Sequence, residues 1–282
     1  MQLHSNTLTE HEQNGVVYYT FPSFEAVPFV RHGFSSRLGG VSVGTFASMN
    51  LSFTRGDDPA AVRENFRRFC TAIGVRSEDA VISAQEHHTV IHNATAADRG
   101  RGITRERGYT DVDGLITDEP NVVLFTQYAD CVPLFFVDPA RKVVATSHAG
   151  WRGTVAGIGA VTVERMVSDY GCRREDILAG IAPSIGPCCF EVDAPVITEF
   201  RKLPVYDEGC YQPVGDDKAL IDLWEVNRRT LMEAGVKAEH ITVTDLCTKC
   251  HPAVFWSHRI TGPRRGSLAG AIAIHESPSS PR

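Results

Sequence analysis

The chain has 282 residues, 43% of them hydrophobic, and its 28 basic and 34 acidic residues leave a net charge of −6. Acids and bases are interspersed without a basic stripe, which argues against a nucleic-acid partner. No run of about 18 apolar residues is present, so no membrane-spanning helix and no membrane partner are expected.

Taken in chain order, the polar start MQLHSNTLTEHEQNG lacks the apolar core of a signal peptide, and residues 1–13 read as a flexible tail. GVVYYTF (15–21) is β-branched and aromatic, as a strand is. DDPAAVRENFRRFCTAIGV reads as a helix, with Asp58 as its cap, Pro59 in the first turn and Gly74 at the stop. Val62, Phe66, Phe69 and Ile73 give it one apolar stripe. DAVISAQEHHTVIH (79–92) reads as a strand. NVVLFTQY, VPLFFVD and KVVATSHAG are nearly all apolar, which suits strands covered on both faces. GTVAGIGAVTVERMVSDYG then reads as a helix stopped at Gly171. DLWEVNRRTLMEAG has Asp222 and Glu225 at capping-box spacing and Gly235 at its end. The ending ESPSSPR (276–282) reads as a second flexible tail. Strands and helices mix throughout and no composition break appears. The expected fold is α/β (α+β), a single-domain mixed-sheet sandwich over residues 14–275.

The eight cysteines are Cys70, Cys131, Cys172, Cys188, Cys189, Cys210, Cys247 and Cys250. In a long chain without a secretion signal they are expected to be reduced thiols, most of them buried and inert, in a cytoplasmic protein.

Cys131 has unusual neighbours. It lies between two apolar runs, and His148 ends the next one. In AQEHHTV, read as a strand, Gln85 and His87 share one face while Glu86 and His88 share the other. Strand ends can bring His87, Cys131 and His148 to one point. Two histidines and a cysteine, with a fourth position open, form a catalytic zinc set, and the thiolate favours zinc or copper. The same residues also fit a Cys–His nucleophile pair, and each alone fits a packed thiol or a satisfied core histidine. After His148, AGWRGTVAGI puts Arg152, Gly153 and Thr154 at a helix start. There free N–H groups and a guanidinium fork would hold an anion such as phosphate. A small-residue turn for tight strand–helix packing explains the same residues.

At this point the chain resembles the laccase-domain or polyphenol-oxidase-like family, which includes purine nucleoside phosphorylases and peptidoglycan editing factors. The resemblance covers nearly the whole chain. It runs through SSRLGGVSVGTFASMNLSFTRGDDPAAVRENFRRF, QEHH, DGLIT, ADCVPLFFVD, HAGWRGTVAGI, IAPSIGPCCFEV and DLWEVNRRTL. It implies a fold like the cysteine hydrolases related to the cytotoxic necrotizing factor toxins. It implies zinc on His87, Cys131 and His148, with copper as the alternative metal. It further implies phosphorolysis of inosine, adenosine and guanosine with inorganic phosphate to free base and ribose 1-phosphate, with adenosine deamination as a second activity. Arg37 and Asn50, in the N-terminal block, are the candidate substrate contacts. Asp113, Asp130 and Glu191 are candidate proton donors. A monomer or homodimer is expected.

Glu86 and His88 stand where the family has valine and glycine, so His88, and His92 beyond it, are potential competitors for the metal. Cys247 fits a C-T pair of the family. CTKCH (247–251) adds Cys250 and His251, a match to a haem-attachment pattern that reads as accidental without an export signal. A structural zinc there needs further ligands that the sequence does not identify. Two other functions compete. A Cys131–His148 amide hydrolase would suit peptidoglycan precursor editing. A copper-dependent polyphenol oxidase fits the family name, but the 11 histidines include no H-x-H pair of the kind a four-copper centre uses.

Overall fold

The run VPLFFVD (132–138) sets the layering. Val132, Leu134 and Phe136 fall in one buried cluster, and the alternate Phe135 and Val137 fall in another. A strand alternates its side chains, so a strand apolar at every position must be covered on both faces.

The structure is a computed structural model that describes residues 3–276. Its strands are β1 (Thr9–Gln13), β2 (Val16–Thr20), β3 (Val30–Ser35), β4 (Ala80–Ile82), β5 (Ile91–Asn93), β6 (Gly114–Thr117), β7 (Val123–Tyr128), β8 (Val132–Asp138), β9 (Val143–Ala149), β10 (Leu178–Ile181), β11 (Glu191–Asp193), β12 (Tyr211–Pro213), β13 (Lys218–Ile221), β14 (Ile241–Val243) and β15 (Leu268–Ile274). The helices are α1 (Pro22–Glu25), α2 (Pro59–Ala72), α3 (Trp151–Val155), α4 (Ile158–Tyr170), α5 (Ala194–Phe200), α6 (Leu223–Glu233) and α7 (His258–Thr261).

Two six-stranded mixed sheets form, ordered β1-β2-β3-β15-β7-β4 and β14-β10-β8-β9-β6-β5, with a small third sheet β11-β13-β12. The facing sides of the large sheets share one core, with Phe34, Leu124 and Ile272 meeting Phe135, Val137 and Val144. Helix α2 covers the outer face of the first sheet through Val62, Phe66, Phe69 and Ile73. Helices α4 and α6 cover the outer face of the second, and α5 packs on the small third sheet. The mixed α/β architecture and the doubly covered strands agree with the sequence reading. So do the caps, since Asp58 accepts from Ala60 N–H and Asp222 accepts from Glu225 N–H, each at 2.9 Å. No described helix is long and apolar enough to cross a membrane.

Three local readings change. Part of the expected N-terminal tail is β1, paired antiparallel with β2 across Asn14-Gly15. Both turn residues have positive φ, 53° and 79°, the backbone that a two-residue hairpin needs. The C-terminal tail lies outside the described residues from 277 onward. The helix expected over 153–171 is two helices, broken where Gly157 turns left-handed at φ 71°. Finally, residues 79–92 do not form one strand. β4 belongs to the first sheet and β5 to the second, and the segment between them is bent.

Phe135 is fully buried between the sheets and meets Phe21 edge-on at 5.6 Å. A Cβ at Gly270, on β15 opposite, would come within 2.6 Å of its ring, so the glycine makes room for the phenyl. Phe135→Ala should destabilise the protein by about 3–5 kcal/mol in urea unfolding, because the cavity is walled by two sheets that cannot collapse into it.

Candidate metal and substrate site

The site starts from one carboxylate. Asp113 precedes β6, which pairs antiparallel with β9, and His148 N–H donates to the Asp113 carbonyl at 2.8 Å. That pairing puts the fully buried Asp113 side chain beside His148, whose Nδ1 lies 2.8 Å from Asp113 Oδ1. The same carboxylate accepts the successive N–H groups of Glu86, His87 and His88 at 2.9–3.0 Å. Three consecutive N–H groups cannot point to one place from a strand. His87 takes a left-handed backbone at φ 67°, and the predicted strand becomes a bend around Asp113.

The bend carries the His87 ring to the His148 ring, with centroids 4.8 Å apart at 75°. Cys131 arrives from the other side. It follows Asp130, which is left-handed at φ 84°, and it precedes β8, whose Val132 pairs with Ala149 of β9. Gly150 lets the three approach. A Cβ there would lie 2.7 Å from the His87 ring and 3.2 Å from Cys131 Sγ. His87 Nε2 is 4.0 Å from Cys131 Sγ, and the donor atoms of His87, Cys131 and His148 all lie within 4.8 Å of one another. With Nδ1 of His148 committed to Asp113, its Nε2 is the atom left for the set.

Electrostatics favour charge on Asp113, Cys131 and His148. Burial pushes the Asp113 carboxyl up, but the His148 bond and the backbone N–H groups more than offset it and hold it below the usual carboxylate range. Burial also raises the Cys131 thiol, yet His148 and then His87 pull it down further, so it is a ready thiolate. Burial lowers His148, but Cys131 and then Asp113 outweigh it and leave the imidazole raised. Two imidazoles and a soft thiolate at this spacing suit zinc or copper, with a coordination position left to substrate. The Asp113–His148 pair is the carboxylate–histidine support that orients such ligands.

Two lobes of one cavity meet at the triad. The larger, of 370 Å³, has an apolar wall of Trp151, Ile185, Phe190 and Leu223. The smaller, of 190 Å³, is polar and includes Gln85, Arg107, Gln127 and Ser267. His87, Cys131, Arg55 and Arg265 line both. Arg265 is buried, its Nε has no partner, and its pKa is pushed down to about 10 by burial first and Arg55 next. Two adjacent guanidiniums, one of them with an unpartnered buried N–H, make an anion-binding corner.

Several sequence candidates lie elsewhere. Arg152 is exposed and stacks on Trp151 at 4.3 Å, and it lines neither lobe. Gly153 and Thr154 are buried, with Thr154 Oγ1 donating to Ala149 O and accepting from Asn227 Nδ2. The packing reading of that turn therefore fits and the phosphate cradle does not. Arg37 stacks on Trp256 at 3.7 Å and donates to Ala47 O and Pro252 O. Asn50 is fully buried, and its Oδ1 accepts from Ser52 N–H and Ser267 N–H, two residues of the polar lobe. Asn50 braces the polar lobe without lining it, and Arg37 lines neither lobe. His88 pairs with Asp111 at 2.6 Å and His92 with Asp98 at 3.2 Å, so neither joins the triad. Asp130 accepts from Thr248, Ser257 and Arg259, while exposed Glu191 pairs with Lys218. Sequence reasoning missed Arg55, Arg107 and Arg265, on turns and loops far apart in the chain, and His258, the first residue of α7. Only the RGD and GPRRGS turns that carry Arg55 and Arg265 offered a signal.

The family described as multi-copper polyphenol oxidoreductase laccase matches residues 31–275. The chain is 39% identical over 246 residues to the purine nucleoside phosphorylase YlmD of Geobacillus stearothermophilus, covering 86% of this chain and 90% of that one. It is 34% identical to adenosine deaminase RL5 from an unknown prokaryotic organism, over 78% of this chain and 85% of the relative. The crystal structure of Bacillus licheniformis hypothetical protein YfiH superposes with a TM-score of 0.89 at 33% identity, covering 95% of this chain and 99% of that one.

Asp113→Asn should weaken zinc binding about 10- to 100-fold in a competitive chelator titration, since it removes the charge that supports His148. Asp111→Asn, which touches only His88, should leave that affinity unchanged.

Proposed function

This chain belongs to the multi-copper polyphenol oxidoreductase laccase family, and we propose that it is a zinc-dependent purine nucleoside phosphorylase with adenosine deamination as a second activity. Its substrates are inosine, adenosine and guanosine, taken with inorganic phosphate to free base and ribose 1-phosphate. The relatives named as purine nucleoside phosphorylase and adenosine deaminase support the reaction class. The observation that carries the reading is the two-lobed cavity. Its larger lobe has an apolar wall that suits a purine, and Arg55 and Arg265 line both lobes beside His87 and Cys131, where they can meet phosphate.

In this reading Trp151 and Phe190 sandwich the base, and Arg55 and Arg265 hold phosphate. A phosphate oxygen bonds to the anomeric carbon as the bond from that carbon to the purine nitrogen breaks. The electron pair leaves with the purine, which takes up a proton. Bound zinc supplies Lewis acidity toward an oxygen of the reactants. His87, Cys131 and His148 hold that ion, and Asp113 keeps His148 in the right tautomer. In deamination, water replaces the amino group of adenosine, which leaves as ammonia, and the arginine corner is not needed. The family name suggests copper, and copper remains the alternative occupant of the set.

A second reading has its own support. Asp113, His148 and Cys131 follow one another as orienter, base and thiol, the order of a cysteine hydrolase. Metal dependence separates the two, because a thiol hydrolase of the kind used in peptidoglycan precursor editing retains activity after chelation and a zinc phosphorylase does not.

With inosine, release of hypoxanthine should depend on phosphate and yield ribose 1-phosphate in equal amount. Arg265→Ala should raise the KM for phosphate about 10- to 100-fold, the loss expected for a charged hydrogen bond. Arg152→Ala should leave it unchanged. Base release at the same rate without phosphate would sink phosphorolysis.

A further inference from the structure

A second set of thiols converges outside this site. β10 and β14 run parallel and adjacent, so their C-terminal loops leave the sheet side by side. The pairing continues past the strands. Thr244 N–H donates to Ile181 O, Thr248 N–H donates to Ser184 O, and Ser184 pairs with Cys247. This register places Cys188 and Cys189 of the first loop against Cys247 and Cys250 of the second. Cys188 Sγ lies 3.5 Å from the Sγ atoms of both Cys189 and Cys250, and Cys189 Sγ lies 3.5 Å from Cys250 Sγ. All four sulfurs lie within 4.8 Å of one another, and all four cysteines are free.

We infer that Cys188, Cys189, Cys247 and Cys250 form a closed structural zinc site, separate from the His87–Cys131–His148 set. A zinc–sulfur bond of about 2.3 Å in a tetrahedron requires sulfur–sulfur edges of about 3.8 Å, close to the three separations of 3.5 Å and inside the 4.8 Å limit that holds for all four sulfurs. Four thiols offer each other only weak hydrogen bonds, so sulfur–sulfur contact gains little by itself. A divalent cation accounts for bringing all four together. Cys247 Sγ already accepts the Gly186 N–H at 3.2 Å, a bond that supports a thiolate ligand as well as tying the two loops. The C-x-x-C spacing of Cys247 and Cys250 is that of half a zinc ribbon, and the other half comes from 58 residues upstream of Cys247. Four sulfurs leave no open position, so the ion is structural.

The site has a job in the fold. The first loop leads from Ile185 to Phe190 and the second leads on to His258 and Arg259, and all four of these residues line the larger lobe. Zinc on the four thiols clamps two pieces of that wall just beyond the last bridge between them, Ser184–Cys247.

Metal content and thiol reactivity test this independently of catalysis. Chains carrying C131A, C188S/C250S or all three substitutions are purified under reductant and assayed for zinc by mass spectrometry. The C131A protein should retain about one zinc per chain, and the triple variant should have none. In addition, fully reduced wild-type protein is labelled with a maleimide and the labelled peptides are identified. Cys188 and Cys250 are exposed, yet they should label slowly until a strong zinc chelator is added. Folded C131A protein without zinc, or immediate labelling of reduced Cys188 and Cys250, would overturn the inference. The labelling result stands even if a variant fails to fold. A zinc-free set of four thiols leaves the phosphorylase reading untouched, because the His87–Cys131–His148 ion is counted separately in the C188S/C250S protein.

Discussion

The Asp113 carboxylate is the constraint from which the site follows. A buried carboxylate is costly unless its charge is answered by hydrogen bonds. Here it is answered by three backbone N–H groups and an imidazole. Those four partners are what the site needs held. The N–H groups force the bend that turns His87 inward, and the imidazole is His148 with its free nitrogen directed at Cys131. One side chain thus sets the conformation of one candidate metal ligand and the tautomer of another. It does so from a place where it need not touch metal or substrate.

The sheets deliver the remaining parts. Antiparallel pairing of β8 and β9 brings Cys131 and His148 to the same end of the second sheet, and β6 brings Asp113 beside them. The chain crosses from the first sheet to the second between β4 and β5, and the crossing segment is the one that carries His87. The site therefore lies where the two sheets exchange a segment, and both sheets supply its walls. Gln127, at the end of β7, belongs to the first sheet, while Trp151 follows the last strand residue of β9 in the second. The guanidiniums of Arg55 and Arg265 both reach the Ser267 hydroxyl, one residue before β15 of the first sheet.

How much of this was legible depends on whether the information is local. Helix α2 was readable because its cap, first-turn proline and stripe lie within one stretch of sequence. β8 was readable because every residue in it is apolar. The grouping of His87, Cys131 and His148, which the structure brings together, was legible as a set of residue types, and the family resemblance named the members. The bend at His87 was not legible, because its cause is a carboxylate 26 residues away. The β1 hairpin was missed although Asn14-Gly15 is a strong turn signal, since the strand before it is polar and reads as a tail. The sequence reading placed the anion at Arg152 because a helix start is a visible motif, and the structure puts that side chain at the surface, outside both lobes. Two arginines 210 residues apart share no common motif, and only the RGD and GPRRGS turns that carry them hint at either. The four-cysteine cluster has the same character, with half of it recognisable as C-x-x-C and the other half supplied by sheet register.

The most direct test of the site is anomalous diffraction at the zinc edge from crystals of the protein soaked with phosphate. The expected map has a peak bonded to His87 Nε2, His148 Nε2 and Cys131 Sγ, with Asp113 outside the coordination sphere on His148 Nδ1. Phosphate density should lie between Arg55 and Arg265. A peak bonded to Asp113 or His88, or phosphate seated on the turn at Arg152, would contradict this assignment of ligands and anion corner.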